Sequence, residues 1–363
     1  MTGTIEVSWL ESLAEVPRPV WDRLVGEGGF YLSHAWLSLQ EDDPDSRRRY
    51  AVATMQGKLV GAVPVDIVEE ESNDFYRLSA VLPDGCAEPD APLMLLGGHG
   101  GYLSGLVLDP LLDAGGRELT VRSLLREIIS ASRELGRVAL FFYLQQQFRD
   151  LVAGLHGTSE PLLARHEATL ELAGHAWTDY LASLPSSRRT NIRGEERRFR
   201  EAGYDVTVGE LTPWLDEAGA LLANVQRRYG HKADAADMSD HLAAQIRNLG
   251  EHVAFLCTDD RGLAGFSLGF PFGGTLWMRA GGFAYERLRR SAEYFNLAYY
   301  LPIRWAYEHD IRNAHLGIES LDAKALRGAT LSPLWVTPVG WSWPDGAAIR
   351  AANSHRAAEP MKW

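Results

Sequence analysis

The run Phe295-Asn296-Leu297-Ala298-Tyr299-Tyr300-Leu301-Pro302-Ile303-Arg304-Trp305-Ala306-Tyr307-Glu308-His309 carries its tyrosines at helical spacing, and residues 313–316 beyond it read as a short strand. Then comes Leu321-Asp322-Ala323-Lys324-Ala325-Leu326-Arg327-Gly328. A lysine three residues before an arginine, just past a buried helix and strand, sets two fixed cations at one junction. Such a junction suits an anion or a developing oxyanion. Upstream, 253–258 reads as a strand, Asp259-Asp260-Arg261-Gly262 as a turn, 263–270 as the returning strand and 275–280 as a further one. Before these lie a helical stretch over 177–202, interrupted near Pro185, and a helix over 218–229; a strand at 334–339 follows the quoted run.

The first half repeats that order. Ser33 is a candidate N-cap for a short helix over 33–39, and strands at 50–55 and 59–65 meet through Gln56-Gly57-Lys58 as a hairpin. Residues 120–135 form an amphipathic helix with Val121, Leu124, Leu125, Ile128 and Ile129 on one stripe, and 138–144 an apolar strand. The expected fold class is α/β, α+β in its details. It comprises two tandem modules, each a mixed, mostly antiparallel sheet flanked by helices, over 1–160 and 166–345. Gly157, Ser159 and Pro161 mark a linker in 154–165, and 346–363 reads as a poorly held tail.

A chain of 363 residues exceeds the size at which single cores usually split. Hydrophobic residues make up 46% and charged ones 23%, but no run approaches the ~18 apolar residues of a membrane span. The first residues lack a basic segment followed by an apolar core, so no signal peptide and a cytoplasmic location are expected. Cys86 and Cys257 are the only cysteines, and the histidines form no His-Glu-x-x-His pattern. No metal and no bound cofactor are therefore expected. The net charge of −12 is uneven: residues 1–165 hold 14 Lys and Arg against 24 Asp and Glu, while the rest hold 22 against 24. The latter include Arg188, Arg189, Arg193, Arg197, Arg198 and Arg200, a basic segment inside an acidic protein.

The tyrosine-rich helix, the short strand and Lys-x-x-Arg-Gly, in that order and spacing, resemble the C-terminal signature of the GNAT-fold acyltransferases related to Fem-type peptidyltransferases, a peptidoglycan-biosynthesis-like group. Ser186-Ser187-Arg188-Arg189-Thr190-Asn191-Ile192-Arg193 is similar to a second segment of that family. The resemblance implies tandem GNAT modules, an acyl donor that is aminoacyl-tRNA, and a lysine, here Lys324, that offsets charge on the ester under attack. The helical arm that Fem-type proteins insert into the second module is not evident.

Each candidate residue has a plain alternative. Arg188, Arg189, Arg193 and Arg197 are a solvated helix face neutralised by Glu195 and Glu196, or a phosphate-binding arrangement at a helix start. Tyr294, Tyr299 and Tyr307 belong to the core, while Tyr300 and Asn296, one turn apart, are candidates to line the cleft. Lys324 and Arg327 are an exposed helix face or, as the resemblance implies, the oxyanion donor and a residue of the donor side. His315, Glu319 and Asp322 stand close in sequence, and Glu319 is the preferred general base. The turn R/Q-x-x-G-x-G/A that holds the CoA pyrophosphate in CoA-dependent GNAT enzymes is missing. Its place reads Gly281-Gly282-Phe283-Ala284-Tyr285-Glu286-Arg287-Leu288-Arg289-Arg290 in the second half and Ala114-Gly115-Gly116-Arg117 in the first. Gly97-Gly98-His99-Gly100-Gly101 reads as a flexible loop.

The reading is an acyltransferase that moves an aminoacyl group from aminoacyl-tRNA to an amine acceptor, a small metabolite or peptide precursor. An acyl-CoA-dependent N-acyltransferase, with acetyl-CoA as co-substrate, is the alternative. A non-catalytic binding module is the third, disfavoured by the joint presence of Lys324 and the arginine segment.

Overall fold

In the computed structural model, residues 4–42, 46–71, 73–156 and 159–358 are described. The chain divides into two compact units, one of residues 1–167 with 332–363 and one of residues 168–331. The strands are β1 (Ile5–Leu10), β2 (Ser46–Met55), β3 (Lys58–Val68), β4 (Leu93–Leu96), β5 (Val107–Leu108), β6 (Val138–Gln145), β7 (Leu162–Glu171), β8 (Asp205–Gly209), β9 (Val253–Asp259), β10 (Gly262–Phe272), β11 (Thr275–Phe283), β12 (Asn313–His315) and β13 (Thr330–Val339). The division falls within β7 and within β13.

In the first unit the strands lie in the order β1-β2-β3-β4-β6-β13, with β5 beside β3. Every neighbour is antiparallel except β4 and β6, which run parallel from Leu93 opposite Val138 to Leu96 opposite Phe141. Gln56 and Gly57 turn β2 into β3 with φ of 52° and 73°. Two successive left-handed residues give the turn whose twist matches paired strands. Helix α1 (His34–Leu39) starts at Ser33, whose hydroxyl accepts from Trp36 N. Helix α2 (Ala114–Glu134) starts at Asp113, whose carboxylate accepts from Gly116 N at 2.8 Å. It buries Val121, Leu124, Leu125 and Ile128 against Val63, Val65, Leu96 and Phe141. That start is the Ala114–Arg117 stretch compared with a pyrophosphate turn. The segment that follows the parallel strand β4 is instead the Gly97–Gly101 loop.

Residues 346–358, expected to trail as a tail, form a helix, Gly346–Ala358. Asn353 accepts from Leu163 N at 2.7 Å and donates to Pro161 O at 2.8 Å, and Arg356 donates to Leu163 O and Val81 O at 2.7 Å each. Residues 359–363 and Gly157 lie outside the described residues.

In the second unit the order is β7-β12-β11-β10-β9-β8. Again one pair is parallel: β11 and β12 face each other only from Thr275 opposite Asn313 to Trp277 opposite His315, and β11 then runs on to Phe283 paired with β10 alone. The interrupted helix is α3 (Trp177–Ser183) followed by α4 (Ser186–Glu201), with Pro185 at the break. The tyrosine-rich helix is continuous but uneven, with Glu293–Phe295, a π turn at Asn296–Tyr300, and then Leu301–Glu308. Its inner face packs Leu297, Tyr299, Tyr300 and Ile303 among Phe255, Leu276 and Phe283. Helix α5 (Leu321–Ala325) follows β12. Among the described residues no helix is long and apolar enough to cross a membrane.

Candidate active site

Three segments of the second unit meet around one carboxylate. Glu195 of α4 accepts from Arg327 Nη2 at 3.0 Å and from the hydroxyl of Tyr300. Arg327 Nε donates to Tyr300 Oη at 3.1 Å, and its Nη1 donates to Ala323 O at 2.9 Å. Its guanidinium carbon lies 3.6 Å from the centroid of Phe295, so all three nitrogens and one face of the group have internal partners. Burial drives the Tyr300 hydroxyl far above the usual phenol range, and Tyr300 works here as a neutral donor. Asn296 Nδ2 donates to Ala292 O at 2.9 Å and to Glu195 O at 3.4 Å, which ties the π turn to the same helix. Gly328, next to Arg327, has φ of 89°, and a Cβ there would sit 3.0 Å from Leu184 Cδ2. The glycine of Lys-x-x-Arg-Gly thus answers a backbone requirement.

Lys324, on the helix that precedes this knot, is only 5% exposed, yet among the described residues its ammonium has no hydrogen-bond or ion-pair partner. Burial lowers its pKa to about 7, with the Glu319 carboxylate acting in the opposite sense. Glu319 and Asp322 are exposed, whereas His315 is buried and packs on Trp277, with ring centroids 4.6 Å apart and planes tilted by 30°. The residue that starts the lysine helix, Ser320, has φ of 53°, a left-handed conformation uncommon for a side-chain-bearing residue.

On α4, Ile192 and Phe199 face inward, while Arg189, Arg193, Arg197 and Arg200 recur every three to four residues on another face. Arg189 Nη1 is held by Leu184 O at 2.6 Å. Among the described residues, Arg188, Arg193, Arg197 and Arg200 have no acidic partner. Glu195 and Glu196, expected to neutralise the stripe, are spent elsewhere: Glu195 on Arg327 and Tyr300, Glu196 on Arg304 at 2.6 Å. The structure therefore brings Tyr300, Arg327 and Asn296 together through Glu195, keeps Lys324 apart and unpartnered, and leaves Arg193 and Arg197 facing solvent. The sequence offers Glu195 only as a neutralising partner of the stripe, although its position three residues after Ile192 and four before Phe199 puts it on the inward face. Among the described residues no cluster of His, Cys, Asp and Glu is placed to hold a metal ion.

Residues 186–325 match the family model of the acetyltransferase (GNAT) domain. This segment is similar to a GNAT domain. The whole chain is similar in structure to FemX, with a TM-score of 0.61 at 10% identity over 92% of this chain and 98% of that one. It is also similar to a tandem GNAT protein from the clavulanic acid biosynthesis pathway, with a TM-score of 0.53 at 14% identity over 93% and 100% of the two chains. A third similarity is to L-PGS from Bacillus licheniformis, with a TM-score of 0.52 at 10% identity over 87% and 91%. At such identities these likenesses establish the fold, a GNAT fold built of two modules. No curated protein matches the sequence.

Proposed function

We propose that this GNAT protein transfers an aminoacyl group from aminoacyl-tRNA to an amine, forming an amide. The observation that carries the reading is the buried side chain of Lys324, whose ammonium has no hydrogen-bond or ion-pair partner among the described residues and feels only the Glu319 carboxylate. A lysine so little exposed and without a hydrogen-bonded partner is costly, which favours a charge supplied by the reaction. The acceptor amine attacks the ester carbonyl, and Lys324 offsets the negative charge on the tetrahedral oxygen. The C–O bond to the ribose then breaks, the ribose oxygen takes up a proton, and the amide remains. Glu319, exposed and acting electrostatically on Lys324, takes the proton that the acceptor ammonium must lose. Tyr300 and Arg327 are positioning residues in this scheme, since their polar atoms are already engaged with Glu195.

The tRNA donor is supported by the Fem-type resemblance and by the arginine stripe, where Arg193, Arg197 and Arg200 have no acidic partner among the described residues and suit a phosphate backbone. An acceptor that carries an amine fits the acidic balance of residues 1–165. The test is incubation with charged total tRNA or with acetyl-CoA, each with a panel of amines, read by mass spectrometry. New amides with charged tRNA and none with acetyl-CoA are expected; the reverse pattern would replace this reading with the CoA-dependent one. Replacing Arg193 and Arg197 by alanine should weaken tRNA binding and lower the log–log salt slope by about 0.7–0.9 per lost phosphate contact.

A further inference from the structure

The loop that leaves β11 is anion-binding in character and is already filled. Arg289 N donates to Glu293 Oε1 at 2.7 Å, and Ser291 N donates to Glu293 Oε2 at 2.9 Å. Tyr204 Oη adds a third hydrogen bond, to Oε1, at 3.0 Å. Glu293 is 3% exposed. Arg290 and Ala292 both take left-handed φ, 57° and 67°. Left-handed residues spaced along a loop turn its amides inward and make a concavity for an anion. Burial alone would raise the Glu293 carboxyl, but the hydrogen bonds from the backbone and Tyr204 outweigh it and hold the group below the usual range. Two guanidiniums of the loop are also engaged. Arg287 is bound to Asp259 and to the carbonyls of Gly262 and Leu263, and Arg289 reaches Ala202 O while lying 4.6 Å over the Tyr204 ring.

We infer that Glu293 determines donor class: its carboxylate occupies, from within the chain, the amide concavity that a diphosphate-bearing acyl donor would need, and so excludes such donors from this module. The inference rests on the proposed aminoacyl-tRNA reading and extends it, because it names the residue that turns away the alternative donor. A diphosphate entering here would have to expel a buried carboxylate together with three hydrogen bonds and would meet like charge on the way. The donor's negative charge is left to the arginine stripe of α4.

The experiment titrates full-length protein with inorganic pyrophosphate and with CoA by calorimetry, for wild type, Glu293→Ala and Glu293→Gln. Wild type is expected to show no saturable heat at millimolar ligand. Glu293→Ala frees the two amides and should bind pyrophosphate at least tenfold tighter than wild type. Glu293→Gln keeps the volume and loses the charge, and should gain about threefold. A folded alanine variant that gains nothing overturns the inference. If the alanine variant does not fold, the glutamine variant decides, and no gain there overturns it equally. Wild-type binding of CoA that is unchanged in Glu293→Ala also overturns it. Failure of the donor reading shows separately, as the absence of amide from charged tRNA in wild type.

Discussion

Arg48 and Asp66 in the first unit and Lys324 in the second are charges removed from water on different terms. Arg48 and Asp66 have side chains 1% and 0% exposed, with Nη2 2.6 Å from Oδ1, and Arg48 Nη1 also donates to Leu37 O at 3.1 Å. Burial works against the Arg48 charge, and the Asp66 carboxylate outweighs it. Lys324 is buried to a similar degree but without such a partner, and its ammonium has slid toward neutrality. A buried pair is an architectural device, whereas a buried single charge persists where something outside the fold completes it. The loops after the two parallel-paired strands differ in the same sense. In the first unit Gly97 has φ of 82°, with Gly105 O 2.7 Å from where a Cβ would be, and His99 is held by Glu71 at 3.1 Å. That loop is closed by packing, while the loop of the second unit is closed by the Glu293 carboxylate.

The sharpest test of the contrast is to break each charge in turn. Asp66→Ala strands Arg48 and should cost about 3–5 kcal/mol of unfolding free energy by urea denaturation. Lys324→Met should cost none and should leave the protein at least as stable. A lysine whose folded pKa lies near 7 rather than the ordinary 10.5 penalises folding fully below pH 7, and the penalty fades as the pH rises toward 10.5. The gain from Lys324→Met should therefore be greatest in acid. A loss of stability comparable to that of Asp66→Ala would erase the distinction.

Next in size is the effect on turnover. Lys324→Met should lower it by roughly 100- to 1000-fold, the usual cost of removing one preorganised oxyanion donor. Wild-type turnover should fall as the pH rises through about 7, where the ammonium is lost. In Lys324→Arg the residual activity should lack that falling limb, because a guanidinium stays charged. A limb that rises instead would recast Lys324 as the base. Smallest is Tyr300→Phe, which removes a donor to Glu195 and an acceptor from Arg327. A loss of about 1.5–3 kcal/mol is expected, with turnover following stability rather than falling beyond it.

Much of this fold is legible where local chemistry decides it. The Gln56-Gly57 turn, the Ser33 cap and the break at Pro185 each announce themselves within four residues. Lys324 could be singled out because Lys-x-x-Arg-Gly follows a helix and strand. What stayed hidden is non-local. Glu195 reads as one more charge on a basic helix until Tyr300 and Arg327 arrive from 105 and 132 positions away. Strand β4 is four residues long and runs into a glycine-rich loop, so it carries too little pattern to mark its loop as the counterpart of 284–292. The helix at 346–358 is fixed by Asn353 and Arg356, whose partners at 161 and 163 are about 190 residues earlier.

The second unit interrupts the first: residues 168–331 lie between two parts of a single compact body, whose sheet places β13 beside β6. On a ribosome this orders events. The unit that bears Lys324 has all of its residues once position 331 is made, while the unit encoded first must wait with β6 uncovered until β13 emerges. An apolar strand with one open edge is a liability during that wait, and β6, Val138–Gln145, paired with β4 on its other side, is buried along nearly its whole length in the finished protein. The half of the molecule that begins synthesis is thus the half that completes its folding last.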